Sequence, residues 1–423
     1  MKLFEHQIAA LEQTKDSNRV AYYLDMGLGK TYVGSEKMKH LGAKVNLIVC
    51  QKSKVQDWVQ HFIEHYGEYF ICDLTNQKEF EKFTSIECSW EVLGKTIVGI
   101  INYDLIFRRP ELLNLKDFTL MLDESSLIQN ETSKRSKFIL KLNPKNVILL
   151  SGTPTGGKYE KLWSQCKLLG WKISKSLYWA QYINFHIDTK NGFPLTIIDG
   201  YKNVERLKHK LREHGAIFMK SDEVFDLPAQ IDNRLYCKTP KEYRKFRKDS
   251  IVSINNVQLV GDTTLTKMLY ERQLCGQYCD EKLKMFQELV ESTDDRIIVF
   301  YNFNEEKRIL MNAIDRPLSI INGEIKDLEA YENHNDSITL IQYQAGAMGL
   351  NLQKANKIVY FTPPLGSEIF EQSKKRIHRI GQNKPCFYYY LICRNSIEER
   401  IYRTLAMRKD YTDRLFESEE NSK

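Results

Sequence analysis

Ten prolines in 423 residues, nine scattered cysteines and no long apolar run set the first limits on this chain. No stretch of about eighteen apolar residues exists, so nothing reads as a membrane-crossing helix. The opening residues, "MKLFEHQIAALEQ", are amphipathic and charged, which argues against a signal peptide. The cysteines run from Cys50 to Cys393, and their closest spacing is Cys275 to Cys279. With no paired CxxC there is no zinc module to read, and reduced structural thiols are the expectation. Repeats and low-complexity linkers are also missing, and no reader domain, nuclease motif or clear nuclear signal is appended. The closing "ESEENSK" reads as a short polar tail.

The residues that are present describe a folded protein. Hydrophobic residues make up 42% and aromatics 11%, too much for a disordered chain. The length predicts two or three domains. Lys+Arg exceed Asp+Glu by 62 to 55, a net charge of +7 that permits a polyanionic partner without requiring one. "VNLIVC" (45–50), "TIVGIIN" (96–102), "FTLMLD" (118–123) and "NVILLSG" (146–152) read as strands covered on both faces. "KVQDWVQHFIEHY" (54–66) reads as a helix between them. Strand and helix in alternation predict a doubly wound parallel sheet. "RIIVFYNF" (296–303), "SITLIQYQ" (337–344) and "KIVYFTPP" (357–364) repeat that grammar, whereas 160–290 shows no clear strand rhythm. The expected fold is α/β, with two similar parallel-sheet lobes (1–227 and 228–423), helical insertions, and a connection near "VFDLPAQIDN" (224–233).

"LDMGLGKTYV" (24–33) follows an apolar stretch and carries the pattern of a phosphate cradle. Glycine tolerates the dihedrals that aim backbone N–H groups inward, which Gly27 and Gly29 would supply. Lys30 would reach the outer phosphates and the Thr31 hydroxyl would hold Mg²⁺. The helix starting there adds its positive end. Leu24 stands where the strict P-loop pattern has its first glycine. Hydrolysis also needs a carboxylate at a strand end, and "FTLMLDESS" offers Asp123 for the metal and Glu124 for the attacking water. The competing reading is an acidic pair opening a helix. In "QSKKRIHRIGQ" (372–382), Arg376 and Arg379 are three apart, hence on one face if the segment is helical. Arginine's planar fork suits charge on a transferring phosphoryl group. The alternative there is a solvated basic patch. Fingers on one lobe and cradle on the other would make hydrolysis a hinge cycle.

With these residues in place the chain resembles helicase superfamily 2, specifically its Swi/Snf-type DNA-dependent ATPases, over nearly its whole length. "LFEHQ" is similar to the adenine-reading element, with Gln7 the candidate. "DMGLGKT" is close to the branch's first motif, which does not need the glycine that Leu24 replaces. "NLIVCQKSKVQDWVQHF", including Trp58, and "INYD" (101–104) follow in family order. "SGTP" (151–154) matches the third motif, and "YQAGAMGLNLQKAN" resembles the fifth through Gly346, Gly349 and Asn351. "RIHRIGQ" carries the two family arginine fingers, Arg376 and Arg379. There are departures: Ser125 and Ser126 follow Glu124 where alanine or glycine and then histidine are usual, and Ala347 replaces a second glycine. Thr155–Gly157 stand where an asparagine is common nearby.

The resemblance implies two RecA-like lobes, ATP and Mg²⁺ as cofactors, and translocation along duplex DNA in replication, recombination or repair. Lys52 and Ser53, beside a strand end, are candidate backbone contacts. "YRKFRK" (243–248) and "WKISKSLYW" (171–179) would lie on protrusions, although core packing is the plainer role for their aromatics. The lysine-rich, proline-poor composition suggests a bacterial or bacteriophage motor acting in the cytoplasm, away from membranes, and directed by a targeting protein. The alternatives are a strand-separating DNA or RNA helicase and a non-hydrolysing nucleic-acid clamp. A small-molecule P-loop kinase would leave the second lobe unexplained.

Overall fold

Buried β-branched and aromatic runs become two all-parallel sheets in the computed structural model, which describes residues 2–85, 94–189, 194–254, 257–345 and 350–416. The polar tail at 417–423 lies outside the described residues. The chain divides into two units, Met1–Val224 with Asp410–Lys423, and Phe225–Lys409. Among the described residues, no helix is long and apolar enough to cross a membrane.

In the first unit the strands are β1 (Arg19–Leu24), β2 (Val45–Cys50), β3 (Tyr69–Asp73), β4 (Thr96–Asn102), β5 (Thr119–Asp123) and β6 (Asn146–Leu150). A hairpin of β7 (Ile183–Asp188) and β8 (Leu195–Tyr201) precedes the short β9 (Ala216–Met219). The sheet order is β3-β4-β2-β5-β6-β1-β9. All residues of β2 and β6 are buried, as strands covered on both faces require. The helices that matter here are α1 (Glu5–Gln13), α2 (Lys30–Leu41) and α3 (Val55–His65). Glycine has a packing reason at Gly34 of α2, where a Cβ would lie 2.9 Å from both Leu150 and Met121.

The second unit holds β10 (Gln230–Cys237), the hairpin β11 (Ile251–Ile254) and β12 (Val257–Val260), then β13 (Ile297–Tyr301) and β14 (Leu318–Ile321). It continues with β15 (Ile338–Gln342), β16 (Lys357–Tyr360) and β17 (Cys386–Cys393), and the sheet order is β10-β17-β16-β13-β15-β14. The absence of strand rhythm over 160–290 is corrected: β7 to β12 all lie there. The hairpins and β10 are largely exposed and polar on one side, so an apolar-run criterion passes over them. The arginine-rich segment also differs from a helix. The helix Ser367–Lys374 stops before Arg376, whose carbonyl accepts instead from the Leu352 amide at 3.1 Å.

Candidate functional site

β1 ends at Leu24 and the chain turns through Asp25–Gly29 into α2. Asp25 pins this loop: its amide donates to the Met219 carbonyl (2.9 Å), and its carboxylate accepts from Ser221 Oγ at 2.5 Å. Gly27 and Gly29 sit at φ 90 and 71°, the left-handed region that glycine alone enters cheaply. A Cβ on Gly29 would stand 2.2 Å from Gln7 Nε2. Gln7 is buried. It donates to the Leu28 carbonyl (3.2 Å) and accepts from the Phe4 amide (3.0 Å), tying α1 to the loop. Lys30 opens α2 and folds back over the loop, its Nζ bonding the carbonyls of Leu24 (3.0 Å) and Asp25 (3.3 Å). Thr31 lies in the first turn beside it.

Asp123 closes β5, two strands from β1 in the sheet. Its Oδ2 accepts from the Trp58 indole N–H at 2.9 Å, and Tyr103 Oη donates to its carbonyl at 2.9 Å. Burial pushes the Asp123 carboxyl above the usual carboxylate range; the Trp58 donor and the Lys30 and Lys54 charges pull the other way. Glu124 sits at φ 53°, a left-handed conformation that costs a non-glycine residue about 1–3 kcal/mol and turns its side chain out of the strand direction. Glu124 Oε2 accepts from Ser151 Oγ at 3.3 Å.

β6 runs between β5 and β1, so Ser151 follows a strand flanked by those that carry the acids and the lysine. A Cβ on Gly152 would lie 3.3 Å from Lys30 Nζ. Beneath these loops a residue that sequence reasoning missed, Gln165, joins the acidic loop and the "SGTP" loop to strand β1. Its Oε1 accepts from Ser125 Oγ (2.8 Å) and Tyr23 Oη (2.9 Å), and its Nε2 donates to the Pro154 carbonyl (2.8 Å). Gln165 is fully buried, and nothing in its neighbourhood, "KLWSQCKLLG", marks it in sequence.

In the second unit Arg376 is buried, with Nη1 3.5 Å from the Leu350 carbonyl. Arg379 is half-buried and bonds Asn351 Oδ1; burial lowers its pKa from the ordinary guanidinium value. Buried Gln382 holds the turn, donating to the Ala355 carbonyl at 2.8 Å. Gly346, Ala347 and Gly349 lie outside the described residues. His378 is buried, its Nε2 2.9 Å from the Pro228 carbonyl. Lys52 and Ser53 are exposed at the carboxyl end of β2. In the helix Lys241–Asp249, Tyr243 and Phe246 are buried while the basic residues between and after them face solvent. Tyr178 is likewise buried, and Trp171 and Trp179 pack against the first unit's core.

The donor set fits a nucleotide with a hard cation. A cation, a hydroxyl and two carboxylates gather beside a loop whose two glycines take left-handed dihedrals, Gly29 with no room for a Cβ beside Gln7.

The SNF2-related domain model matches residues 22–281, and the helicase conserved C-terminal domain model matches 281–381. The chain therefore belongs to the SNF2-related family of helicase-like ATPases. A human SWI/SNF-related, matrix-associated, actin-dependent regulator of chromatin, subfamily A member 1, is 22% identical over 89% of this chain and 40% of its own length. A Bacillus subtilis protein, YwqA, named for ATP-dependent helicase/translocase activity, is 22% identical over 93% of this chain and 46% of its own. The Saccharomyces cerevisiae DNA repair and recombination protein RAD26 is 26% identical over 77% and 33%. The chain thus spans less than half the length of these relatives. The Sulfolobus solfataricus SWI2/SNF2 ATPase core in complex with dsDNA is 21% identical, with a TM-score of 0.46 over 98% of this chain and 92% of that one.

Proposed function

We propose that this chain is an ATP-dependent translocase on duplex DNA that displaces or remodels DNA-bound complexes. The observation that carries the reading is the gathering of Lys30, Asp123, Glu124 and Ser151 at the carboxyl ends of β1, β5 and β6, in a chain of the SNF2-related family. Names among the relatives, a helicase/translocase and a DNA repair and recombination protein, favour DNA as the track.

Each side chain has a role in ATP hydrolysis. Lys30 exchanges its two carbonyl partners for phosphate oxygens, so its charge is held in place before the nucleotide arrives. Thr31 and Asp123 would hold Mg²⁺, which supplies Lewis-acid neutralisation of phosphate charge. Glu124 takes a proton from the attacking water, and its bond to Ser151 reports its state to the third motif. Gln7 borders the cradle where a purine would be read. Arg376 and Arg379 supply transition-state charge, Arg379 being the more accessible. Lys52 and Ser53 offer exposed contacts to a phosphate backbone.

The deciding experiment is steady-state ATP hydrolysis with duplex DNA, single-stranded DNA or RNA, beside Lys30→Ala. Strong stimulation by duplex and none in the variant is expected. Stimulation by single strands or RNA alone would favour a strand-separating helicase, and no hydrolysis under any condition would favour a non-hydrolysing clamp.

A further inference from the structure

Four of the nine cysteines converge in the second unit from positions that look unrelated in sequence. Cys237 ends β10 and Cys393 ends β17, side by side in the parallel register. Cys279 precedes the helix Asp280–Glu291, and Cys275 lies in the last turn of the helix Thr264–Gln277. The sulfur of Cys237 is 3.8 Å from that of Cys279 and 3.6 Å from that of Cys393, and Cys279 and Cys393 are also 3.6 Å apart. All are buried and none is in a disulfide.

A tetrahedral ion with metal–sulfur bonds of about 2.3 Å separates its ligands by roughly 3.8 Å. The three measured edges match that spacing to within about 0.2 Å, the tolerance expected of a metal site. The Cys275 sulfur lies within 4.8 Å of the Cys393 sulfur and of a Glu398 carboxylate oxygen but not of both Cys237 and Cys279, so it borders the three-thiol set without joining it. One buried cation and one buried carboxylate border the thiols. Lys282 is wholly buried, donates to both oxygens of Glu398 (2.6 and 2.7 Å), and acts electrostatically on Cys237, Cys275 and Cys393. Glu398 in turn accepts from the Cys393 amide at 2.8 Å. Such outer partners fix ligand orientation in metal sites. An entry path exists as well, because Cys237 lines a surface cleft of about 440 Å³ together with Lys238, Glu281 and Arg394.

We propose that Cys237, Cys279 and Cys393 bind one thiophilic cation of the Zn²⁺ class as thiolates, the fourth position being left to a water from the adjoining cleft. Binding releases one proton per thiol to solvent. The ion fastens the ends of β10 and β17 to the start of the helix Asp280–Glu291, a structural staple where thiols alone would offer only weak S–H···S contacts. The inference is independent of the ATP chemistry.

The test uses the full, untagged chain, expressed with zinc and purified under reducing conditions. After dialysis, elemental analysis is expected to find about one zinc per chain. Stripped protein titrated with Co²⁺ should develop a near-ultraviolet thiolate-to-cobalt band and visible bands of tetrahedral intensity, both displaced by Zn²⁺. Cys237→Ser should cut bound metal at least tenfold, whereas Cys50→Ser, a buried thiol of the first unit, should leave it unchanged. If Cys237→Ser does not fold, the wild-type cobalt spectrum decides. Absence of the thiolate band in protein whose thiols are demonstrably reduced would overturn the proposal. So would equal metal content in folded Cys237→Ser, since the ion would then be adventitious.

Discussion

Replacing Trp58 by Phe tests whether Asp123, the carboxylate proposed to hold Mg²⁺, is held ready by its neighbours. The substitution removes one interaction, the indole N–H donated to Asp123 Oδ2 at 2.9 Å. Most of the ring packing survives, since Trp58 is buried with its centroid 5.6 Å from His61 and 6.2 Å from Phe62. A hydrogen bond to a charged group is worth about 1.5–3 kcal/mol, and about 1.4 kcal/mol is a tenfold change in affinity. Burial already pushes the Asp123 carboxyl upward, so losing a donor moves it further the same way and weakens its hold on a cation. The expected result is an apparent Mg²⁺ requirement raised roughly 10–100-fold, as for other outer-shell partners of metal ligands. The assay is ATP turnover against Mg²⁺ concentration, repeated at rising pH. Because the Lys30 and Lys54 charges persist in the variant, high pH should recover part of the loss. Turnover with wild-type Mg²⁺ and pH dependence, in a variant folded by circular dichroism, would refute the reasoning.

Gln165→Glu keeps the shape and both accepted hydrogen bonds but replaces the amide that donates to Pro154. It should cost about 1–3 kcal/mol of stability and lower DNA translocation per ATP hydrolysed, measured by triplex displacement; unchanged coupling would make Gln165 a core residue only. Burial brings the His61 pKa down to about 4, with the His65 charge acting in the same direction and Glu64 opposing. The unfolded imidazole binds its proton near 6.5, so the stability held above that pH is lost as pH falls toward 4. Lowering pH from 7 to 5 should cost about 2 kcal/mol through this residue, a slope that His61→Gln removes in urea titrations. Arg379→Ala should lower kcat by about 10³–10⁵ while ATP binding holds; a defect confined to DNA affinity would return Arg379 to a backbone-binding patch.

The fold's legibility followed burial. β2, β4, β5 and β6 announce themselves because strands covered on both faces are continuous apolar runs. β10 does not, because its residues are mostly exposed along the sheet edge and read as loop. The turn into α2 was legible through Gly27, Gly29 and Lys30, whose pattern is local to one short stretch. Gln165 and the cysteine cluster were not, since each depends on strand order. Cys237 and Cys393 are 156 residues apart in sequence and neighbours only because β10 pairs with β17.

Strand order also gives the unusual Ser125 a physical meaning. β6 lies between β5 and β1, so whatever links the acidic loop to the lysine loop must pass the "SGTP" loop. Ser125 and Tyr23 reach into that space from opposite sides and meet on one carboxamide oxygen, while the same group's nitrogen holds Pro154. A residue larger than serine at 125 would have to displace Gln165, because both are fully buried. A histidine in this stretch would add a group that titrates near neutrality. The hydroxyls and the carboxamide do not titrate there, so the link among β1, the acidic loop and the "SGTP" loop keeps its hydrogen bonds through neutral pH.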